Sequence, residues 1–196
     1  MKIIKINFSR YQQITSAVEI AIKQGKIIVC PTDTVYGLAC DAANEKAVRR
    51  LFEIKNRPLN KSVPIFVKDI KMAKRMAFID KRQEEFLRKY WPGRVTVVLK
   101  SRNKLPKSLG AEKTIGLRIP NYKFINDVLK KVNRPLTGTS ANISGQPASG
   151  DIKEVLRQFK NRRYKPDLVI DAGRLPKRKP SKIIDLIVYP PKILRK

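Results

Sequence analysis

Apolar and polar residues alternate along this chain in two different periods. Lys2 to Phe8 interleaves lysine with isoleucine and reads as a first strand. Ser9 and Gln12 have capping-box spacing ahead of Ile14, Val18, Ala21 and Ile22, which share one helix face up to a stop near Gly25. Lys26 to Cys30 is a short, mostly apolar run that reads as a buried strand, ended by Pro31 and a polar Thr-Asp-Thr turn. Asn44 is placed to cap a helix carrying Val48, Leu51, Phe52 and Ile54 on one side, and Pro58 stops it.

The second half repeats the alternation. Val63 to Val67 predicts a strand, and Asp69 and Asp80 are candidate caps for two helices. Val95 to Leu99 and Ile115 to Ile119 read as strands joined by a loop containing Pro106 and Gly110. Asn121 to Val132 reads as a helix, and Leu136 leads into a small-residue loop from Gly138 to Ser149. Asp151 and Glu154 again fit a capping box, for a helix reaching Phe159. Leu168 to Ile170 and Ile183 to Val188 are late strands, and the basic stretch Arg174 to Lys182 reads as a loop. Alternating helices and strands without an internal repeat predict the α/β class.

Composition narrows the chemistry. The 196 residues, 42% of them hydrophobic, suit one domain with a sizeable core. No run approaches the ~18–20 apolar residues needed to span a bilayer. The first ten residues lack a signal-peptide core, so a cytoplasmic protein without a membrane partner is expected. Cys30 and Cys40 do not make a disulfide framework and are expected to be buried small hydrophobes. The net charge of +28 comes from 44 basic and 16 acidic residues. It points to a polyanionic partner, nucleic acid first, or to a compositional bias. With no histidine, Ser-His-Asp and Cys-His triads and histidine metal sites are excluded. What remains suits phosphate and carboxylate handling by Lys, Arg, hydroxyls and amides.

Four segments concentrate unusual residue choices. Pro31 to Leu38, PTDTVYGL, follows a strand directly, where α/β sheets place ligands; it also reads as a tight connecting turn. Lys55, Arg57 and Lys61 sit around the Pro58 break, either answering the helix dipole or clamping a triphosphate. No P-loop is present. In Thr114 to Pro120, Arg118 interrupts an apolar strand, either facing water or pairing with a carboxylate. In Thr137 to Gly145, five of nine residues carry a hydroxyl or amide, as a surface loop or as a cradle for phosphate and ribose oxygens.

Together these segments resemble the YrdC/TsaC family, the threonylcarbamoyl-AMP synthases, in their single-domain form. The resemblance rests on PTDTVYGL at 31–38, KNRP at 55–58, WPGRVTVVLK at 91–100, TIGLRIP at 114–120 and TSANISG at 139–145. PSKIIDL at 180–186 is similar to a late family segment. The resemblance implies one YrdC-like domain over 1–196, a twisted mixed sheet with flanking helices around a large basic cavity, and no additional C-terminal domain or closing tail. It implies an L-threonylcarbamoyladenylate synthase, a nucleotidyltransferase. Threonine, bicarbonate and ATP, the last with Mg2+, would give threonylcarbamoyl-AMP and pyrophosphate. A separate downstream transferase would then modify tRNA next to the anticodon. Lys55, Arg57, Ser140 and Asn142 match the signature catalytic pairs. Arg57, Lys61, Thr114, Ser140, Ala148 and Arg195 fall on ATP positions, and Thr34, Arg118, Gly138 and Ser181 on threonine positions. No protein-held metal is implied.

The chain departs from the pattern at three places. Phe66 stands where some members carry a histidine, Ala148 where some carry a serine, and Asp33 where glutamate is commoner. Two rival readings are a non-catalytic tRNA or double-stranded RNA binder of the same fold, and a carbamoyl-transfer unit as in hydrogenase maturation. The intact Lys-x-Arg and Ser-x-Asn pairs disfavour the first, and the absence of zinc-finger and acylphosphatase domains disfavours the second.

Overall fold

Local capping decides most helix starts. The computed structural model describes residues 1–59 and 61–196. β1 (Lys2–Lys5) is shorter than expected, because Asn7 turns the chain and accepts from the Ser9 amide at 3.0 Å. The Ser9/Gln12 capping box does not form. Ser9 donates its hydroxyl to Asn7 at 2.8 Å, and α1 (Tyr11–Lys23) starts without a side-chain cap. Asn44 caps α2 (Glu45–Lys55), Asp69 caps α3 (Ile70–Met76), and Asp80 with Gln83 forms a complete capping box on α4 (Lys81–Tyr90). α2 ends at Asn56 and α5 (Lys123–Val132) at Asn133, both left-handed at φ 50° and 53°. Asn tolerates that conformation through its short polar side chain. Asp151 caps α6 (Ile152–Phe159), but Glu154 does not complete a box, because its carboxylate accepts from the Ser149 hydroxyl.

The expected mixed sheet is divided in two. The first has the order β1-β9-β2-β3-β8, with β9 (Leu168–Asp171), β2 (Ile28–Cys30), β3 (Gly37–Ala39) and β8 (Thr139–Ser140). The second has the order β11-β10-β5-β6-β4-β7. Its members are β11 (Lys192–Arg195), β10 (Lys182–Asp185), β5 (Val95–Lys100), β6 (Thr114–Arg118), β4 (Ile65–Phe66) and β7 (Leu136–Thr137). Each sheet mixes parallel and antiparallel pairs. β3 overlaps the end of the segment expected to be a turn, and β11 follows the strand expected to run on to Val188.

Alternation assigns each face a core. Ile27 and Val29 enter one cluster with α2 residues and with Val97, Leu99, Ile115 and Leu117 of the second sheet. Ile28 and Cys30 enter another with α1 and α5. β2 is buried on both faces and therefore reads as an unbroken apolar run. Cys30 and Cys40 are free and buried, one in each cluster, and burial pushes both thiols up to about 12. Among the described residues, no helix is long and apolar enough to cross a membrane.

The chain crosses between the sheets at Gly138. Thr137 is the last residue of β7 and Thr139 the first of β8. The Gly138 amide donates to the Pro64 carbonyl at 2.7 Å, and a Cβ there would lie 2.5 Å from the Phe66 ring. Only glycine fits without moving that ring. Gly138→Ala is expected to cost about 1–3 kcal/mol, lowering the melting temperature, and Phe66→Leu should restore part of the loss. A Gly138→Ala variant that melts with wild type would show that this contact does not constrain the crossing.

Candidate functional site

Two clusters of polar side chains meet where the sheets adjoin. The first centres on Lys55, at the C-terminal end of α2 and 2% exposed. Its ammonium donates to the Ser140 carbonyl at 2.7 Å, the Asn142 carbonyl at 2.9 Å and Asn142 Oδ1 at 3.1 Å. Ser140 Oγ donates to the same Oδ1 at 2.6 Å. The Asn142 amide nitrogen donates to the Ile143 and Gln146 carbonyls, and the Ser144 amide donates to the Lys55 carbonyl at 2.7 Å. All three ammonium hydrogens are thus engaged by one loop, which Lys55 holds in shape. Burial, reinforced by the charge of Arg57, lowers Lys55 to about 7.

Arg57 lies just beyond. Its Nη2 donates to the Ser62 carbonyl at 3.0 Å. Arg57 Nε and Ser144 Oγ are buried and have no hydrogen-bond partner among the described residues. A buried guanidinium nitrogen and a buried hydroxyl are two donors of the kind that suit an anion.

The second cluster centres on Arg118, the last residue of β6 and 3% exposed. In β6, Ile115 and Leu117 point into the core, which turns Thr114, Gly116 and Arg118 to the opposite face. Arg118 Nη2 reaches both oxygens of Asp33 at 2.6 and 2.7 Å, and its Nε donates to the Gly93 carbonyl at 2.9 Å. Nη1 makes no hydrogen bond among the described residues. Burial lowers the guanidinium from its ordinary value, and the Asp33 carboxylate works against that. Asp33 also accepts from the Asn121 amide at 3.0 Å.

Around this pair the register lines up further polar groups. Phe66 pairs with Arg118 across β4 and β6, with the guanidinium 5.9 Å from the ring centroid. Thr96 stands one position before Val97, which pairs with Leu117. The hydroxyls of Thr96 and Ser181 are 3.1 Å apart, and Arg195 of β11 donates to the Ser181 carbonyl at 2.8 and 3.0 Å and to its hydroxyl at 3.1 Å. Thr34 is 8% exposed. Thr32 gives its hydroxyl proton to the Val35 carbonyl, so Thr34 is the donor in the 3.1 Å Thr32–Thr34 contact and keeps its own lone pairs open. A cavity of 260 Å³ beside Asp33 is lined by Gly93, Arg94, Asn121 and Arg178.

Most sequence-predicted residues therefore assemble. Lys55, Ser140 and Asn142 are directly bonded, with Arg57 alongside; Arg118, Gly138, Ser181 and Arg195 are linked through Phe66 and Thr96; Thr34 is adjacent to Asp33. The clusters meet through β3 and β8, where Gly37 faces Ser140, and through the Ala141 amide, which donates to the Tyr36 carbonyl at 2.8 Å. Thr114 is exposed at the far end of β6. Lys61 and Ala148 are exposed, and among the described residues no hydrogen bond or ion pair ties them to either cluster. Ser144 lies in the hydroxyl-rich segment and Arg94 in WPGRVTVVLK, although neither is among the residues assigned individually from the sequence, and Arg178 lies in the stretch read as a basic loop.

A cleft of cations, hydroxyls and backbone amides between two mixed sheets defines an α/β protein suited to binding anions. The model of the Sua5/YciO/YrdC family, described as telomere recombination, matches residues 20–196, and the chain belongs to that family. It is 36% identical over 186 residues to a putative threonylcarbamoyl-AMP synthase of Methanocaldococcus jannaschii, covering 95% of this chain and 86% of that protein. It is 33% identical over 176 residues to the threonylcarbamoyl-AMP synthase of Pyrococcus abyssi, covering 89% of this chain and 51% of the relative. The crystal structure of P. abyssi Sua5 complexed with L-threonine superposes with a TM-score of 0.88 at 31% identity, over 99% of this chain and 56% of that one. The chain thus spans about half the length of the Pyrococcus protein.

The Lys55 environment has a pH signature. Unfolded, Lys55 titrates near 10.5; folded, at about 7. Below pH 7 both states carry the charge and the folded state bears the full cost of burying it. Between about 7 and 10 the unfolded chain binds more protons, so stability rises with pH. Lys55→Met is expected to be destabilised by several kcal/mol, because oxygens of the loop lose their donor, and to lack that rise. Chemical denaturation from pH 6.5 to 9 checks this. Parallel stability curves for the two proteins would contradict it.

Proposed function

We propose that this chain is a threonylcarbamoyl-AMP synthase, a transferase of the nucleotidyl class, acting in the cytoplasm. The threonine amine and bicarbonate condense to a carbamate with loss of water. A carbamate oxygen attacks the α-phosphorus of ATP, the bond to the β-phosphate oxygen breaks, and pyrophosphate leaves. The product serves a separate transferase that modifies tRNA.

The observation that supports this most is the buried Arg118 guanidinium, held by Asp33 with Nη1 unengaged. A carboxylate reaching Nη1 joins a pre-oriented fork without displacing the Asp33 pair. The open lone pairs of Thr34 suit an ammonium or amine, and the Thr96–Ser181 hydroxyls suit a small polar side chain. Arg57 Nε and Ser144 Oγ offer donors to phosphate oxygens. The Ser140 hydroxyl, which donates to Asn142, offers its lone pairs to a ribose hydroxyl, and Lys61, Thr114 and Arg195 lie toward the rest of the nucleotide. Lys55 and Asn142 act by positioning, since their hydrogen bonds are made within the protein. Magnesium belongs to the reaction as MgATP. Among the described residues no cluster of three acidic, Cys or His groups could hold the ion, so phosphates and water would be its ligands.

The chemistry asks little of acid–base groups. The carbamate is already anionic, and alignment of two bound reactants supplies several kcal/mol, while cations stabilise charge developing on pyrophosphate. Purified protein with MgATP is expected to release pyrophosphate only when both threonine and bicarbonate are present. Release that ignores threonine would refute the assignment. Arg118→Lys, which keeps the charge and loses the fork, should raise the threonine KM about tenfold or more while changing the ATP KM less than threefold. Equal effects on both would remove Arg118 from the amino-acid carboxylate.

A further inference from the structure

Outside the cleft, a stripe of positive charge runs along α6 and its flanks. Lys153, Arg157 and Lys160 recur at helical spacing and are all exposed. Beyond the helix, Arg162 and Arg163 are exposed and Lys165 is half-buried. From Arg157 to Lys165 five of nine residues are cations and none is acidic. Among the described residues, none of these cations forms an ion pair within the protein. The nearby carboxylates are otherwise engaged: Glu154 accepts from Ser149, and Asp151 is shared by the Lys153 amide and Arg174. Unanswered like charges repel, and a flexible polyanion lying along them removes that cost.

One end of the stripe carries an aromatic platform. Tyr164 is 41% exposed, with the Arg163 guanidinium 5.4 Å from its ring centroid. The two rise from a groove of 460 Å³ that also includes Glu53, Asn56, Asn161 and Arg162. Glu53 and Asn56 continue into a second groove, of 590 Å³, which reaches Arg57. The other end lies near the Arg174–Asp151 pair at the start of α6, from which the basic loop runs to Arg178 at the cavity beside Asp33. The stripe therefore runs between the groove that includes Arg57 and the loop that reaches the cavity beside Asp33.

We propose that the α6 stripe is an RNA-binding surface, on which backbone phosphates lie along Lys153, Arg157, Lys160, Arg162 and Arg163 and an unpaired base stacks on Tyr164. Unpartnered cations next to a solvent-facing ring are the combination that single-stranded nucleic acid requires. An acidic peptide would use the cations and leave the ring idle. A membrane surface would need apolar residues to insert, and the exposed positions of the stripe are otherwise polar or charged. This inference stands on charge and geometry and is independent of the adenylate reading, although RNA as a partner agrees with it.

The test uses the full chain and a fluorescein-labelled RNA hairpin with an unpaired loop, followed by fluorescence anisotropy across a salt series. The triple variant Arg157→Gln/Arg162→Gln/Arg163→Gln should weaken binding at least tenfold and flatten the log–log salt slope by about 2–3, from ~0.7–0.9 per lost phosphate contact. Tyr164→Ala should weaken hairpin binding about five- to a hundredfold and change binding of the fully paired duplex less than twofold. Pyrophosphate release should be unchanged in both, which also reports that they fold. A control with three exposed cations elsewhere, Lys2→Gln/Lys5→Gln/Lys130→Gln, should lose less than threefold. The proposal is overturned if the triple variant keeps the wild-type slope, if the control loses as much, or if poly-glutamate displaces the hairpin as well as unlabelled RNA does. Absent pyrophosphate release from wild type would strike the adenylate reading alone.

Discussion

The buried pair between Arg118 and Asp33 fixes the geometry on which the site depends. Asp33 lies in the turn that links β2 to β3 of the first sheet, and Arg118 ends β6 of the second. With side chains only 4% and 9% exposed, the pair bears a large desolvation cost, so it is a weak source of stability. It is a strong source of register, since either charge alone would be stranded. The Gly93 carbonyl holds Arg118 Nε and the Asn121 amide holds Asp33, so the guanidinium has a single orientation with Nη1 left open. Thr34, Phe66 and the Thr96–Ser181 hydroxyls are arranged around it.

Lys55 provides the complementary constraint. A lysine at the end of a helix ordinarily faces water, where it answers the helix dipole. Here its ammonium is turned inward, and the loop from Ser140 to Ser144 is moulded on it through both side-chain and backbone bonds. The division of labour follows. Groups whose hydrogen bonds are complete, Lys55 and Asn142, define the shape, while Arg57 and Ser144, which keep unengaged donors among the described residues, stand beside it.

Much of this was legible in the amino-acid order, and the division between legible and illegible follows sequence separation. Caps such as Asn44, Asp69 and Asp80 act over three residues, so their spacing announces them. Where local chemistry competes, the pattern misleads: Ser9 bonds Asn7, and Ser149 takes the Glu154 carboxylate, so two plausible capping boxes do not form. The partition into two sheets was not legible, because β4, β7 and β8 are two residues each and exist only through their pairing. β11 is exposed throughout and carries no burial alternation. The motifs named Lys55, Ser140, Asn142 and Arg118 as a group. That Arg118 is held by Asp33, 85 positions away, and that Lys55 faces a loop, are facts of tertiary packing.

The two buried thiols carry a practical consequence. Cys30 belongs to the cluster under α1 and α5, and Cys40 to the cluster between the sheets. Each is shielded and held in the unreactive protonated form. An alkylating reagent can therefore modify either one only when the packing above it opens. The molecule carries a native reporter in each half of its interior, and comparing their labelling rates would tell whether the helical layer and the inter-sheet layer come apart together or one at a time.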